Sequence, residues 1–464
     1  MLHMLPLSLL AALPFSMVWA APMCSLSPST AASASTSASS AIPTVSGSSS
    51  SNSTGGAGDA FVATTWYAGW NSDNFPLSNL SWNKYTSVTY AFGLTTPDGN
   101  VSLGNQDLLL LPQFVEMAHQ NNVSAMLTIG GWTGSRFFST SVAEENRTTF
   151  VNALVNLVQK YNLDGLDFDW EYPDKQGIGC NIVSEKDSAN FLSFLQVLRA
   201  TPELSNLTLS AAVSLTPFAQ GSGNNTQPMQ DVSEFAKVLD YIAIMNYDVF
   251  GSWSSVVGAN APLNDTCAPT TTDQAGSAVS AVKAWTAANF PANQIVLGVA
   301  AYGHSFAVPQ GAAFAATSDV NAATPPVGTT LLAAFPPFNN ASQPFGDKLD
   351  RNDTDVDICN VPQTGPSGIF NFWGLIDEGF LNEDGTAADG MGFRFDTCSQ
   401  TPFVYNATSQ VMVAYDDVQS FAAKGQFISE QNLLGFAMWE ASGDYNDMLL
   451  DSISNAMGIE QVGC

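Results

Sequence analysis

The segment DGLDFDWEYP (residues 164–173) carries four acidic residues, which are Asp164, Asp167, Asp169 and Glu171. In a β-strand, alternate side chains point to opposite faces, so the last three acids would share one face. The other face would carry Phe168, Trp170 and Tyr172. Buried carboxyl groups are costly unless they are paired, protonated or solvated, so three in a row are typical of an active site. Asp164 lies at the start of the predicted strand, and we expect it to have a structural role.

This segment is one of eight β-rich segments that alternate with helix-like segments from Phe61 onward. The eight are FVATTWYAG, SVTYAFGLT, VSAMLTIGG, LDGLDFDWE, LTLSAAVSL, YIAIMNYD, IVLGVAAYG and LLGFAMWE. This alternation predicts an α/β fold, a parallel (β/α)8 TIM barrel that spans residues 61–464. A doubly wound open sheet is the alternative, but it would need a glycine-rich phosphate-binding turn after an early strand, and the sequence shows none.

One connection in this pattern is far longer than the others. More than a hundred residues separate the seventh β-rich segment, which ends near Gly303, from a helix predicted to begin near Asp417. A structureless loop of that length is uncommon inside a compact domain. Residues 304–414 are therefore predicted to form an inserted α+β subdomain between the seventh strand and its helix, on the carboxyl-terminal rim of the barrel.

The amino-terminal sequence indicates export. Residues 1–21 are apolar and end in small residues, as a signal peptide does, and residues 22–60 are rich in Ser and Thr, as flexible linkers are. Eleven Asn-x-Ser/Thr sequons and six cysteines favour a secreted, extracellular glycoprotein with disulfide bonds. We predict a monomer with the pairs Cys359–Cys398 and Cys180–Cys267, although cysteine spacing alone does not fix the connectivity.

The charge of the chain limits its partners. It has 41 acidic and 13 basic residues, and its formal net charge is −28. Binding to nucleic acid and attraction to an anionic membrane both need a basic surface, so neither partner is expected. A neutral polysaccharide substrate is compatible with this acidity.

Glu171 is the strongest candidate for a catalytic residue. In a (β/α)8 barrel the active site lies at the carboxyl ends of the strands, and Glu171 is at that end of the fourth strand. Side chains two positions apart in a strand are ~7 Å apart, so Asp167 and Glu171 would both feel the charge of Asp169. That repulsion would keep Glu171 protonated near the working pH, as a general acid requires. With three histidines in the whole chain, a histidine metal site is not expected, and we predict no metal or cofactor.

The same segment matches the D-x-x-D-x-D-x-E signature of the family 18 glycoside hydrolases, the chitinase family, at every fixed position. The resemblance runs from about Thr64 to about Asp447 and is to secreted fungal-type members. LTIGGW resembles the S-x-G-G motif of the family with Thr128 for Ser, and MNYD (residues 245–248) matches its M-x-Y-D motif. AYGHSF resembles its Y-G-R-x-F motif with His304 for Arg. GIFNFWGLIDE and VAYDDVQSF resemble parts of the chitinase insertion domain of the family.

The resemblance implies a retaining chitinase that hydrolyses β-1,4 bonds between N-acetylglucosamine units through an oxazolinium ion formed by the substrate's own acetamido group. It implies that Glu171 is the acid and base, and that Asp169, with Asp167 behind it, steadies the positive charge. Tyr247 would donate a hydrogen bond to the acetamido carbonyl, and Asp248 would help to hold the distorted sugar. The other residues predicted to bind substrate, by their motifs or their place after a strand, are Gly130, Gly131, Trp132, Tyr172, Met245, Trp253, Tyr302 and Trp439.

These residues have specific physical roles in the prediction. Gly130 and Gly131 would leave room for a sugar near the backbone. The three tryptophans would offer flat apolar faces to pyranose rings. Trp439, in GFAMWEASGD, corresponds to the residue that forms the floor of the sugar site in the family.

Two other functions stay open at this point. An endo-β-N-acetylglucosaminidase that releases N-glycans would share the barrel and the acids, but the large insertion and the aromatic residues favour a long polymer. A non-catalytic chitin-binding lectin would share the fold. Such lectins typically lose the last Glu of the signature, and Glu171 is present.

Overall fold

The computed structural model describes residues 25–28, 61–221, 226–268, 270–271, 273–315, 322–350, 356–362 and 365–462. The predicted signal peptide and most of the predicted linker lie outside these residues. Within them, Ser25–Pro28 is a strand that pairs antiparallel with Ile459–Val462, so the linker prediction is wrong for this strand. Strand pairing uses main-chain groups that every sequence supplies, which is why a Ser-rich composition did not indicate it.

Eight parallel strands form the closed barrel that the sequence predicts. They are β1 (Val62–Ala68), β2 (Ser87–Thr95), β3 (Ser124–Gly130), β4 (Gly165–Asp169), β5 (Thr208–Val213), β6 (Tyr241–Ile244), β7 (Ile295–Ala300) and β8 (Gly435–Trp439). Each strand pairs with the next in the chain or across the insertion. The barrel closes where β8 pairs with β1, with Ala437 opposite Thr64.

Helices cover the outside of the barrel. The longer ones are Asp107–Gln120, Arg147–Tyr161, Asp187–Ala200, Ala278–Ala287, Val418–Glu430 and Met448–Ala456. Two of them begin at capping boxes, in which the side chains of Ser277 and Asp417 accept hydrogen bonds from backbone N–H groups of the first turn. In the part of the chain that the structure covers, no helix has the length and apolar character of a membrane span.

Aromatic side chains on the outer face of β4 and just after it pack the strand against the surrounding helices. Phe168 is fully buried, and its ring lies 5.5 Å from that of Phe194 in the helix Asp187–Ala200. Trp170, just after the strand, stacks on Phe138 at 5.1 Å. At the other end of the strand, Asp164 accepts a hydrogen bond from the backbone of the β3 segment and contacts His119. The structural role predicted for Asp164 therefore agrees with its contacts.

The long connection after β7 is folded, as predicted. Its six-stranded sheet contains, in spatial order, Thr330–Leu331, Gly392–Asp396, Thr401–Asn406, Val411–Ala414, Tyr302–Ala307 and Ile369–Asn371. The short helices Gln310–Ala313 and Phe372–Asp377 accompany the sheet. The inserted subdomain starts at Tyr302 rather than at residue 304 as predicted, because the chain passes from β7 into this sheet almost directly. Phe306, Tyr405 and Met412 of the insertion belong to a second hydrophobic cluster, which also takes in Val257 and Ala259 from the barrel segment after β6.

Two disulfides join the insertion to barrel loops. They are Cys180–Cys359 and Cys267–Cys398, with Cα–Cα distances of 5.4 and 5.7 Å. The predicted pairs Cys359–Cys398 and Cys180–Cys267 are therefore wrong. Each barrel cysteine meets a different part of the insertion, and this proximity depends on how the insertion sits on the rim rather than on sequence spacing.

Candidate active site

A cleft of about 910 Å³ opens at the carboxyl ends of the barrel strands. Most of the predicted site residues line it, namely Trp132, Asp169, Glu171, Tyr172, Met245, Tyr247, Asp248 and Trp439. Asp167, Gly130, Gly131, Trp253 and Tyr302 are not part of the lining. Among the residues that the structure describes, no group of three or more His, Cys, Asp or Glu side chains is arranged to hold a metal ion.

Asp167 is a buried support below the cleft. Its Oδ1 accepts a hydrogen bond from the Ser210 hydroxyl at 2.7 Å. Its Oδ2 accepts from the Thr128 hydroxyl at 2.9 Å and from the Trp66 indole N–H at 3.2 Å. Burial raises the pKa of Asp167, and these three donors oppose that rise. Thr128 therefore supplies the hydroxyl that a Ser would supply in the family motif, and Asp167 is held in place by the barrel interior.

Asp169 differs sharply from Asp167, although both lie on β4. Its carboxyl group is buried, yet Oδ1 has no hydrogen-bond partner within the described protein. Burial and then the charges of Glu171 and Asp167 raise the pKa of Asp169 well above its usual value. A buried polar atom without a partner costs roughly 1–3 kcal/mol. Asp169 also lines the cleft, so a bound ligand that carries a donor could remove that cost once the buried Oδ1 turns toward it.

The backbone around Glu171 departs from the strand pattern that the sequence suggested. The strand β4 ends at Asp169, so the alternation of faces stops there. Tyr172 consequently lines the cleft together with Glu171 instead of packing outside with Phe168, and its predicted place on the outer face is wrong. Beyond the strand, the Glu171 N–H donates to the Ser135 hydroxyl at 3.0 Å.

The carboxyl group of Glu171 keeps its proton up to neutral pH. Burial, opposed by a hydrogen bond from Tyr172 and assisted by the charge of Asp248, raises the pKa of Glu171 to about 7. The repulsion between Glu171 and Asp169 mainly raises the pKa of Asp169. The protonated acid was thus predicted correctly, but its main cause is burial rather than a ladder of three charges.

The insertion fixes the position of Asp248. This residue follows β6 with a left-handed backbone (φ 55°). Its Oδ1 accepts a hydrogen bond from the Tyr302 hydroxyl at 2.7 Å and lies 2.7 Å from Nε2 of His304. Tyr302 and His304 belong to the strand of the insertion that follows β7 directly. Tyr302, predicted to bind substrate, therefore supports Asp248 from behind, and His304 contacts the same carboxylate.

Tyr247, the neighbour of Asp248, is a hydrogen-bond donor in the cleft. Burial and then the nearby charges, that of Asp169 foremost, raise the pKa of Tyr247 well above its usual value. The phenol therefore keeps its proton over the whole physiological range, and it can donate to a ligand oxygen beside Asp169.

Aromatic rings form the floor and ends of the cleft. Phe92, Trp439 and Trp70 form a three-ring cluster, in which the Phe92 ring lies 5.8 Å from Trp439 and 5.7 Å from Trp70 and the two tryptophan rings are 6.3 Å apart. Trp70 and Trp132 are 59% and 50% exposed, so each presents an open face on which a sugar ring can stack. Trp253 is also exposed, but it packs edge-on against His304 at 5.3 Å and lies outside the cleft lining.

The two glycines after β3 serve the packing of the protein. Gly130 has φ +110°, and a Cβ there would lie 2.2 Å from the Asp169 carbonyl oxygen. Gly131 has φ +77°, and its Cβ would lie 2.8 Å from the ring of Phe92. The prediction that they leave room for a sugar is therefore wrong, because a β4 carbonyl and the Phe92 ring occupy that space.

Four residues of the site were missed from the sequence: Trp66, Phe92, Ser210 and Trp70. Ser210 on β5 and Thr128 on β3 are the register neighbours of Asp167 on the two adjacent strands. Inward-facing residues of barrel strands pack in shared layers, so the inward positions of β1, β2 and β5 were a usable signal. Trp70 follows the end of β1, where barrels place ligand-binding residues.

The geometry of the cleft agrees with the sequence comparison. The chain matches the model of the glycosyl hydrolases family 18 over residues 63–444. The chain belongs to this family. The family 18 protein is 49% identical over 402 residues to a chitinase-like effector of Moniliophthora roreri, in an alignment that covers 86% of this chain and 94% of the relative. The family predicted from the acidic signature is thereby confirmed.

Solved structures show the same architecture. A chitinase from Rhizomucor miehei matches this family 18 protein with a TM-score of 0.72 and 31% identity, over 85% of this chain and 99% of that one. A family 18 chitinase from Cycas revoluta, solved in complex with (GlcNAc)3, matches with a TM-score of 0.62 and 22% identity, over 85% and 99% of the two chains. The second likeness concerns the fold alone.

Proposed function

We propose that this protein is a secreted chitinase that cleaves β-1,4 bonds between N-acetylglucosamine units with retention of configuration. The observation that carries the proposal is the combination, in one cleft, of a proton donor and an unsatisfied acceptor. Glu171 has a pKa raised to about 7, and Oδ1 of Asp169 has no partner among the described residues. A glycosidic oxygen needs a proton donor such as Glu171 when its bond breaks, and an acetamide N–H needs an acceptor such as Asp169.

The proposed reaction uses the acetamido group of the substrate as the nucleophile. Glu171 donates its proton to the glycosidic oxygen while the acetamido oxygen bonds to the anomeric carbon and the leaving group departs. Asp169 accepts a hydrogen bond from the acetamide N–H and stabilises the positive charge of the oxazolinium ion. Glu171, now a carboxylate, takes a proton from water while the water oxygen bonds to the anomeric carbon and the bond between that carbon and the acetamido oxygen breaks. This step restores the acetamido group and the β configuration.

Three further residues orient the sugar in this proposal. Tyr247, whose phenol keeps its proton, donates to the acetamido oxygen. Trp439 supports the sugar from below, with its ring packed on Phe92. Asp248, held by the insertion, accepts hydrogen bonds from hydroxyl groups of the distorted ring. Orientation of this kind can contribute several orders of magnitude in rate.

The shape of the cleft favours a linear polymer over a branched N-glycan. The exposed tryptophans Trp70 and Trp132 line the same cleft as Glu171, and their rings suit a row of pyranose units. The acidic surface does not repel an uncharged chain such as chitin. Two disulfides support secretion, because disulfides persist in oxidising compartments.

A second candidate function is the binding of chitooligosaccharides without hydrolysis. The relative from Moniliophthora roreri, 49% identical to this chain, is named a chitinase-like effector rather than a chitinase. A binding protein would use the same tryptophans and the same free oxygen of Asp169. The two functions differ in whether Glu171 transfers its proton.

The test compares the wild-type protein with Glu171→Gln on colloidal chitin and labelled chitooligosaccharides. We expect the wild type to release products first as the β-anomer, seen by NMR, and the variant to bind oligosaccharides normally in calorimetry. The variant should lose activity by at least about 10²–10⁴-fold, because an amide cannot donate the proton. A wild type that binds without cleaving would establish the second function. Initial α-anomer would refute substrate assistance, and cleavage of a glycopeptide alone would indicate an N-glycan substrate.

A further inference from the structure

The backbone of Glu171 is held by a side chain at its N–H group and by another at its carbonyl group. Its N–H donates to the Ser135 hydroxyl, and its carbonyl oxygen accepts a hydrogen bond from Nδ2 of Asn181 at 2.9 Å. The chain also passes very close at Gly177, where a Cβ would lie 1.9 Å from the same carbonyl oxygen. Residues 174–182, here named the support loop, therefore pack directly on the backbone of the proposed acid.

The support loop has no helix or strand of its own, so its position depends on its attachments. Within the loop, the Asn181 N–H donates to the Ile178 carbonyl at 3.0 Å. At its start, Asp174 accepts a hydrogen bond from the Ser188 N–H at 2.9 Å. At its end, the Ile182 N–H donates to the Arg136 carbonyl at 3.0 Å. Asn181 is 8% exposed, which leaves its amide little freedom as long as the loop stays in place.

A covalent bond fixes the same end of the loop to the insertion. Cys180, next to Asn181, forms the disulfide with Cys359. Cys359 lies in a compact turn in which the side chain of Asp357 accepts hydrogen bonds from the N–H groups of Cys359 and Val361, both at 2.8 Å. The insertion thus reaches the Glu171 backbone through three consecutive links: the turn, the disulfide and the Asn181 amide.

We propose that Asn181 and the Cys180–Cys359 disulfide position Glu171, so that the insertion holds the acid in its buried, aligned place. This inference rests on the proposed function, in which Glu171 is the catalytic residue, and it assigns the other residues a positioning role. Without the tether, the support loop is held on the Glu171 backbone by hydrogen bonds such as those at Asp174, Asn181 and Ile182, and the loop moves away from it more easily. The carboxyl group then gains contact with water, which favours its charged form.

Two consequences follow for activity. Because the added solvation lowers the pKa of Glu171, the alkaline limb of the pH profile of kcat/KM moves to lower pH. Because the tryptophans and Tyr247 are anchored elsewhere, kcat falls while KM for oligosaccharides stays near its wild-type value. The other titratable groups in the cleft around Glu171 are the same in all the variants below, namely Asp107, Asp169, Tyr172, Lys175, Tyr247 and Asp248.

The chain supplies a matched control, since the second disulfide also joins the insertion to a barrel loop. We compare the double variants Cys180→Ser/Cys359→Ser and Cys267→Ser/Cys398→Ser. The first should lose kcat by about 10-fold, since small displacements of reacting groups cost that much or more. It should also move the alkaline limb down by roughly half a pH unit. The Cys267→Ser/Cys398→Ser variant should keep the wild-type kcat and the wild-type alkaline limb. The thermal midpoint should fall in both double variants.

A variant with both disulfides intact separates the positioning role from general destabilisation. Asn181→Leu keeps the approximate shape of the side chain and removes the donor to the Glu171 carbonyl. It should show the same fall in kcat and the same direction of shift in the limb, with KM unchanged. If this variant keeps the wild-type limb, or if both double variants shift it equally, the positioning proposal is overturned.

A measurement without turnover keeps this result separate from the proposed function. Infrared difference spectra between each background and its Glu171→Gln derivative follow the titration of the Glu171 carboxyl group together with the change that its loss causes at Asp169, and the same change at Asp169 is expected in every background. A lower midpoint in the Cys180→Ser/Cys359→Ser background, and not in the control background, supports the positioning role even if the wild type does not cleave chitin. Equal midpoints in an active enzyme would refute the positioning role and leave the proposed chitinase function standing.

Discussion

Glu171 should make the fold less stable as the pH rises, and Glu171→Gln should remove that effect. The pKa of Glu171 is raised to about 7 in the folded protein from an ordinary value of 4.5. Between these two pH values the folded state keeps a proton that the unfolded state releases, so the free energy of unfolding falls with rising pH. The loss of stability begins near pH 4.5, grows between the two pKa values and is complete above about pH 7. The glutamine variant does not titrate and escapes this loss.

The size of the effect follows from the two pKa values. The interval from 4.5 to about 7 corresponds to about 3 kcal/mol at about 1.36 kcal/mol per pH unit. Glu171 lines an open cleft, where water screens part of the cost, so we expect about 1–2 kcal/mol. The variant should therefore be more stable than the wild type by this amount at about pH 8 and equally stable at about pH 4.

Urea unfolding followed by tryptophan fluorescence, at both pH values, measures this difference. The control is Glu203→Gln, which makes the same chemical change at an exposed position outside the helices and strands. The control should not change stability differently at the two pH values. Equal stabilities of wild type and Glu171→Gln at about pH 8, or a less stable variant, would refute the argument that burial holds the proton on Glu171.

Three predictions concern activity on soluble chitooligosaccharides. Asp169→Asn should lower kcat by about 10²–10³-fold, since in the proposed reaction the Asp169 carboxylate stabilises the oxazolinium ion, and steady-state kinetics measures this loss. Asp248→Asn should move the alkaline limb of kcat/KM to lower pH, because the charge of Asp248 adds to the effect of burial on the pKa of Glu171. Asp167→Asn should leave the limb in place, and identical profiles of the two variants would contradict this. Trp439→Ala should lower kcat/KM by roughly 10–100-fold, through the loss of the stacking surface under the reacting sugar, and an unchanged value would show that the ring serves only the core.

The eight strands were predictable because each is a short apolar run between turns and helices, and a buried parallel strand needs little else. The family and the acids were predictable because one signature places the acids at fixed spacing along β4 and just beyond its end. The disulfide pairing and the position of Tyr172 depend on which residues come close together in the folded chain, and the sequence pattern does not show this. Cys180 could pair with Cys359 only after the insertion had come to lie on the rim, and Tyr172 moved to the cleft face because β4 ends at Asp169.

The hydrogen-bond partners of Asp167 and Asp169 could not be predicted for the same reason. Asp167 and Asp169 have the same chemistry and are two positions apart, yet their surroundings differ completely. Asp167 receives donors from β1, β3 and β5, and this requires the register of three strands. Asp169 receives none at Oδ1 from the described part of the chain. A sequence pattern shows that two carboxyl groups lie on one strand, but not which of them the protein has left unsatisfied.

The contrast between these two aspartates also explains why burying them is compatible with a stable fold. A carboxyl group with three donors loses little on burial, because its hydrogen bonds to water are replaced by hydrogen bonds to the protein. A carboxyl oxygen without a donor keeps its cost until a ligand binds, and that cost then becomes a gain in affinity for the ligand that supplies an N–H. The barrel interior therefore provides the support at Asp167. The insertion provides the contacts that hold Asp248 and, through Cys180 and Asn181, the peptide of Glu171. Asp169 is left as the acid of β4 with an oxygen that no described residue satisfies, next to the cleft.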